Sequence, residues 1–379
     1  MAAVTLATLF GLLALHFYQR NLAEPKLLDF LSYWAAGRLA GQGSPAAAWD
    51  LAAHARVMAA VTSETGVLPF PYPPAFLFPV LAVSWLPYAA AFAVWVGATG
   101  AFYLWSGRRV APAVQAAAQP AVLINALIGQ NGFLMAGVFF AGVTRLAERP
   151  FLAGAILGLL VVKPQLALML PVAVIAGRAW PAIAGAALSA GGLLVAGWLA
   201  FGSESYAAWA RLLPAMSQWM AADRFSWEEF ASVFAFLRVL GAAPEAAMVV
   251  HGAVALAAAA LCWAAWRRAW EQRVPILCSA SLLGSPYLQS YDTLLMLAPI
   301  GWFLTRQPKV AWGLYLLCLL PVVTQMGLWS APDAGPVAAV LSLGLLWRER
   351  LRAGVGPSTT ELRSAVPLPI LAAQARGGS

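Results

Sequence analysis

The segment 151–178, "FLAGAILGLLVVKPQLALMLPVAVIAGR", decides how this chain can fold. It is apolar throughout except for Lys163, Gln165 and the terminal Arg178, and Lys163 is followed at once by Pro164. A single helix of this length, at about 1.5 Å per residue, would overshoot a hydrocarbon core of about 30 Å. Proline removes a helix hydrogen bond, and irregular backbone at membrane depth is tolerated only where it is buried in protein or lines a cavity. The segment therefore reads as two half-helices that enter and leave by the same face. Lys163 sits at their break. An ionisable group inside an apolar run is a functional candidate, although a lysine can also snorkel to the nearer surface.

The rest of the 379 residues agrees with a membrane setting: 62% are hydrophobic, 10% are charged, and the mean hydropathy is +0.76. Such a composition belongs to an all-α polytopic membrane protein, with about 10–12 membrane helices and half-helices. The N-terminal run "MAAVTLATLFGLLALHFYQR" is long enough to span and lacks the basic start of a cleaved signal, so it reads as a retained first helix. In residues 71–109 the prolines Pro73, Pro74, Pro79 and Pro87 divide the chain into an interfacial piece and a full helix. Further apolar runs follow at 111–128, 132–146, 180–201, 245–266, 274–287, 290–305, 310–329 and 334–347. Cys262, Cys278 and Cys318 lie inside apolar runs without CxxC spacing or a His cluster, so neither a disulfide frame nor a metal site is expected. No nucleic-acid module is visible.

The net charge of +8 is informative through its placement. With the N-terminus in the cytoplasm and 151–178 returning on itself, Arg108/Arg109, Arg145/Arg149, Arg178, Arg267/Arg268/Arg273 and Arg306/Lys309 all fall on one side. The same path puts the C-terminal tail in the cytoplasm and gathers the acids Asp29, Asp50, Glu64, Glu204, Asp223, Glu228, Glu229, Asp292 and Asp333 outside. Alanine richness and loop style point to a bacterial inner membrane, which makes the outer face periplasmic. Residues 1–350 read as one membrane domain and 351–379 as a flexible tail.

Two outer loops are long, 19–70 and 202–244, whereas the cytoplasmic turns are short, so function is expected outside. Both loops carry Trp and Tyr at the spacing of short interfacial helices. The first holds Asp29 in "LLDFLSYW", where an acid can serve as a general base or simply cap a helix. Gln130 and Asn131 in "IGQNG" can bond sugar hydroxyls or mark a turn, and Tyr287, Gln289, Tyr291 and Asp292 in "SPYLQSYD" can form a sugar-binding face or an interface with a cap. Arg38, Arg211, Arg224 and Arg238 are candidate phosphate ligands beside Lys163. Tyr72 in "PYPP" is a weaker candidate, and His54 reads as solvated.

Taken in order, "DFLSYWAAGRLAGQGSPAAAWD", "FPYPPAFLFPVLAVSWLP", "IGQNGFLMAG", "LAGAILGLLVVKPQLALMLP" and "SPYLQSYD" resemble glycosyltransferase family 87 over roughly residues 5–350. The resemblance implies the GT-C membrane fold and transfer of mannose from a polyprenyl-phosphate donor to an acceptor hydroxyl of a glycolipid or glycan. It also implies that Asp29, at the head of the first outer loop, is the catalytic base, and that no metal or other cofactor is needed. The second outer loop has "RFSWEEFASV" where that family carries an Asn-Gln-Ser type motif. A transporter or flippase is the competing reading, but it predicts several buried charges and an internal repeat. Lys163 alone meets the first condition, and no repeat is present.

Overall fold

A computed structural model describes residues 2–23, 25–222, 226–325 and 331–353. The chain is 79% helical, with no strand among the described residues. It opens with α1 (Ala2–Ala23), whose outer surface is almost wholly unburied, as a lipid-facing helix requires. Short helices follow: α2 (Asp29–Gly41), a 3-10 turn Pro45–Trp49, α3 (Leu51–Ala59), a 3-10 turn Pro74–Phe76 and α4 (Leu77–Ser84). Pro87 then starts the full-length α5 (Tyr88–Gly107), so the proline-divided run becomes an interfacial piece and a spanning helix. The first outer loop is helical, as its pattern predicts. It is also packed into the core, since Phe30, Leu31, Ala35 and Ala36 are fully buried.

After α6 (Ala113–Ala117), α7 (Pro120–Ile128) and α8 (Gly132–Val143) comes the segment that decides the fold. Helix α9 (Pro150–Gly158) tightens into a 3-10 turn Leu159–Val162 and breaks at Lys163 (φ −139, ψ 66). The chain resumes as a 3-10 turn Pro164–Ala167 and α10 (Leu170–Ala176). The two outer ends of this pair converge: Leu146, Pro150, Gly177, Arg178, Trp266 and Arg273 line one cleft of about 300 Å³. Both halves thus reach the same basic face of the molecule.

Helix α11 (Trp180–Ala221) lies along α9 with the backbones in close approach. Any Cβ at Gly154 would fall on the Ala182 carbonyl. Within α11, Gly202 adopts φ 78 and ψ 163, a conformation open to glycine, and redirects the helix. Much of the second outer loop, expected over 202–244, is therefore a helical extension reaching Ala221. It is tied to the first outer loop by Trp209, whose indole donates to the Pro71 carbonyl at 3.0 Å.

The remainder comprises α12 (Val233–Val239), α13 (Pro244–Arg267), α14 (Arg273–Leu283), a 3-10 turn Ser290–Met296, α15 (Leu297–Arg306), α16 (Pro308–Gln325) and α17 (Gly335–Ala353). Among the described residues five helices, α1, α5, α11, α13 and α16, are long and apolar enough to cross a membrane, and five shorter apolar helices accompany them. The expected tail at 351–379 begins inside α17, and beyond Ala353 it lies outside the described residues.

Candidate active site

The site starts from a glycine. Gly129 caps α7 in the left-handed region (φ 67, ψ 32), and a Cβ there would lie 2.6 Å from Phe30 Cβ and 2.8 Å from Phe92. The Trp95 indole donates to the Gly129 carbonyl at 2.9 Å and pins the turn. With no side chain in the way, the turn presses on the start of α2 and brings Gln130 to Asp29. Gln130 Nε2 donates to Asp29 Oδ2 at 2.9 Å, across 101 residues of sequence.

Gln130 Oε1 accepts from the Asn131 backbone N–H at 3.0 Å and from the Tyr33 hydroxyl. The Tyr33 and Tyr72 hydroxyls are 3.0 Å apart, and the Trp49 indole donates to the Tyr72 carbonyl at 3.1 Å. Leu28, not Asp29, holds the N-cap position of α2 and offers no side-chain cap, so the capping reading of Asp29 fails. Asp29 is partly exposed, and burial holds its carboxyl above the usual carboxylate range, against the opposing Gln130 bond and Lys163 charge.

Behind Asn131 lies an ion pair. Lys163 Nζ donates to Asp292 Oδ1 at 2.6 Å, with the two side chains 2% and 1% exposed. Lys163 also stands 3.5 Å from Asn131 Oδ1 and 4.4 Å from the centre of the Tyr291 ring. The lysine is therefore buried and ion-paired, which corrects the snorkelling reading made of it from sequence. Asp292 Oδ2 accepts from the Gln289 backbone N–H at 3.2 Å and completes a reciprocal capping box with Gln289. Asn131 Nδ2 is buried with no hydrogen-bond partner, so this corner holds one donor that the protein does not use.

The second outer loop docks on the same corner. Ala231 N donates to the Leu288 carbonyl at 2.8 Å, Phe230 bridges Gln289, and Ser232 Oγ donates to the Pro286 carbonyl at 2.7 Å. Ser290 Oγ then lies 2.5 Å from Asp333 Oδ2 and 2.9 Å from the Glu229 carbonyl, and its one proton serves one of these acceptors at a time. Burial pushes the Asp333 carboxyl up to about 6. The Glu229 side chain is exposed to solvent beside this corner, and its carboxyl is raised by desolvation from the neighbouring chain and by the charges of Asp29 and Glu228. Tyr291 belongs to the cluster expected from "SPYLQSYD", whereas Tyr33, Glu229, Ser290 and Asp333 were not singled out as site residues from sequence. Only proximity to a candidate marks the first three of these, and nothing local marks Asp333.

Of the eight site candidates, Asp29, Tyr72, Gln130, Asn131, Lys163 and Asp292 are brought together. Tyr287 is 44% exposed and makes no side-chain contact with the cluster. Arg38 lies further along α2, over the Trp34 ring and 3.5 Å from the Ser84 carbonyl. Arg238 turns back to the Ala242 carbonyl at 2.7 Å, and Arg224 falls outside the described residues. His54, expected to be solvated, is fully buried against Ser32 Oγ at 3.3 Å.

This all-helical membrane protein brings a partly buried acid, a buried lysine–aspartate pair and two buried amides into one corner, an arrangement suited to a membrane enzyme. The sequence profile of glycosyltransferase family 87 matches residues 70–290, more than half of the chain. The chain belongs to that family and is a glycosyltransferase. No curated protein and no solved structure matches it. The matched span takes in Tyr72, Gln130, Asn131, Lys163 and Tyr287 but stops short of Asp292 and begins after Asp29 and Arg38.

Proposed function

We propose that this glycosyltransferase moves a hexose, mannose by the family resemblance, from a polyprenyl-phosphate donor to an acceptor hydroxyl at the periplasmic surface, with Asp29 as general base. In the step, the anomeric carbon–phosphate oxygen bond breaks, the acceptor oxygen bonds to that carbon, and its proton passes to Asp29. The lipid phosphate departs with the bonding electrons. A base within hydrogen-bond reach and a cation near the departing oxygens are the two demands of this chemistry.

The observation that carries the reading is the Asp29 carboxylate. It is bonded by Gln130 at one oxygen and, among the described residues, has no hydrogen bond at the other. Burial raises its proton affinity, which favours a base at neutral pH. Support for a lipid-linked donor comes from an apolar groove of about 520 Å³ between the half-helix pair and α11, lined by Leu160, Val161, Pro164, Ala167, Pro171 and Ala186. Pro164 lines this groove and directly follows Lys163, whose charge acts on Asp29 and whose ammonium would be shared between Asp292 and the donor phosphate. Asn131 Nδ2 would supply a further donor to the same ligand.

The test is single-turnover transfer from radiolabelled polyprenyl-phosphate-mannose by purified protein in lipid, wild type against Asp29→Asn. Turnover should fall by about 10² to 10⁴-fold with donor binding retained. Near wild-type rates would remove Asp29 from the mechanism, and movement of label across the bilayer without transfer would favour a flippase.

A further inference from the structure

The Gln130 side chain can be oriented without ambiguity. A backbone N–H can only donate, so the amide atom 3.0 Å from the Asn131 nitrogen must be Oε1. A flipped amide would set donor against donor there and lone pair against the Asp29 carboxylate. Oε1 also accepts from Tyr33, whose single proton is thereby used, so Tyr72 must be the donor to the Tyr33 oxygen. Burial raises the proton affinity of both phenols and keeps them in this donating state. Gln130 is itself only 6% exposed, which leaves it little surface to offer a sugar.

Asp29 stands in the first turn of α2, where a short acid ordinarily turns back to the free N–H groups of its own helix. Here it does not. Its only hydrogen bond among the described residues is to Gln130, held on a turn that Gly129 fixes against Phe30. We propose that Gln130 is a positioning residue, locked by Tyr33 and the Asn131 backbone so that it anchors Asp29 Oδ2 and leaves Oδ1 aimed at the acceptor hydroxyl. This replaces the sugar-binding role that its sequence position suggests, and it rests on the reading of Asp29 as base.

The experiment compares Gln130→Met, similar in size but without a donor, with Tyr33→Phe, using radiolabelled polyprenyl-phosphate-mannose across a pH series. Besides Gln130, the groups near Asp29 are Lys163 at the half-helix break, Glu229 in the second loop, and the phenols Tyr33, Tyr72, Tyr88 and Tyr291. Of these only Tyr33 bonds Gln130 and loses that bond in Gln130→Met, and Tyr33→Phe is the control for it, so a change in the acid limb common to both variants reports the lock. Loss of the Gln130 bond should lower kcat by about 10- to 100-fold, the value of a charge-assisted hydrogen bond, with both KM values changed by less than about three-fold.

The acid limb of kcat/KM should move to higher pH, because the lost bond favoured the ionised form. Tyr33→Phe should move it the same way by less. An unmoved acid limb, or a raised KM with unchanged kcat, overturns the proposal. Should Gln130→Met fail to fold, Tyr33→Phe, which deletes one oxygen, decides on the same criteria. The underlying reading fails separately: an active Asp29→Asn sinks the base, whereas an inactive Asp29→Asn beside unaltered Gln130→Met and Tyr33→Phe profiles sinks only the lock.

Discussion

Replacing Lys163 by Met and Asp292 by Asn, singly and together, tests the central packing claim. The two groups are 2.6 Å apart with almost no solvent access, so either single change strands a charge. Lys163→Met leaves the Asp292 carboxylate with only its Gln289 cap. Asp292→Asn keeps an oxygen for that cap but leaves the ammonium with Asn131 Oδ1 at 3.5 Å and the Tyr291 face at 4.4 Å. Breaking a buried pair from one side costs about 3–5 kcal/mol, whereas removing both charges is often close to neutral. Each single variant should therefore lose about that much, the double variant should recover to within about 1–2 kcal/mol of wild type, and the coupling should be about 3 kcal/mol or more. Reversible unfolding in mixed micelles measures all four corners of the cycle. Single costs under about 1 kcal/mol that simply add would refute the buried pair and restore the snorkelling lysine. The double variant carries a functional readout as well: if Lys163 serves the donor phosphate, it should fold normally and bind donor about ten-fold or more weakly.

Gly129→Ala forces a side chain against Phe30 and Phe92 in a left-handed conformation, and should cost more than about 2 kcal/mol together with most activity. Gly43→Ala is the control, with φ 82 but open space around it, and should cost only about 1 kcal/mol in the same unfolding assay. Burial depresses His54 from 6.5 to about 4, so the unfolded chain takes the proton first, and stability that is complete above 6.5 should decline by up to about 3 kcal/mol as pH falls through 4. Asp333, raised from 3.8 to about 6, contributes with the opposite sign in that window, so the difference between wild type and His54→Gln isolates the histidine. For topology, Ser44→Cys and Ser217→Cys should label from outside intact cells and Arg108→Cys and Arg178→Cys should not. All four positions are exposed, while the native Cys262, Cys278 and Cys318 are buried, and outside labelling of Arg178→Cys would sink the returning half-helix pair.

What the sequence made legible was whatever the bilayer dictates. Proline and glycine divided the apolar runs, and the Lys163-Pro164 dipeptide marked the break because no spanning helix tolerates it unaided. The loop positions of Asp29 and Asp292 made them visible as candidates. Their partners were not legible, because a hydrogen bond across 101 residues or an ion pair across 129 has no local signature. For the same reason the snorkelling reading of Lys163 stood open, His54 looked solvated, and Tyr287 and Tyr291 looked equally placed although only Tyr291 faces the ion pair. The helical character of the stretch after Gly202 was legible in its Trp and Tyr spacing, but its continuity with α11 was not, because a glycine in the left-handed region has no signature that separates a redirected helix from a loop.

The separation of Lys163 from Asp292 also bears on how the protein is made. Lys163 leaves the ribosome 129 residues before its counter-ion, which at about 5–20 residues per second is a wait of roughly 6–26 s. Throughout that interval the first half of the protein holds an unneutralised ammonium at the tip of a hairpin too short to span the bilayer. The hairpin gains its full stability only when the 289–292 segment arrives, so its insertion becomes final late in synthesis. Chains truncated before Asp292 should be the form that membrane proteases recognise and remove.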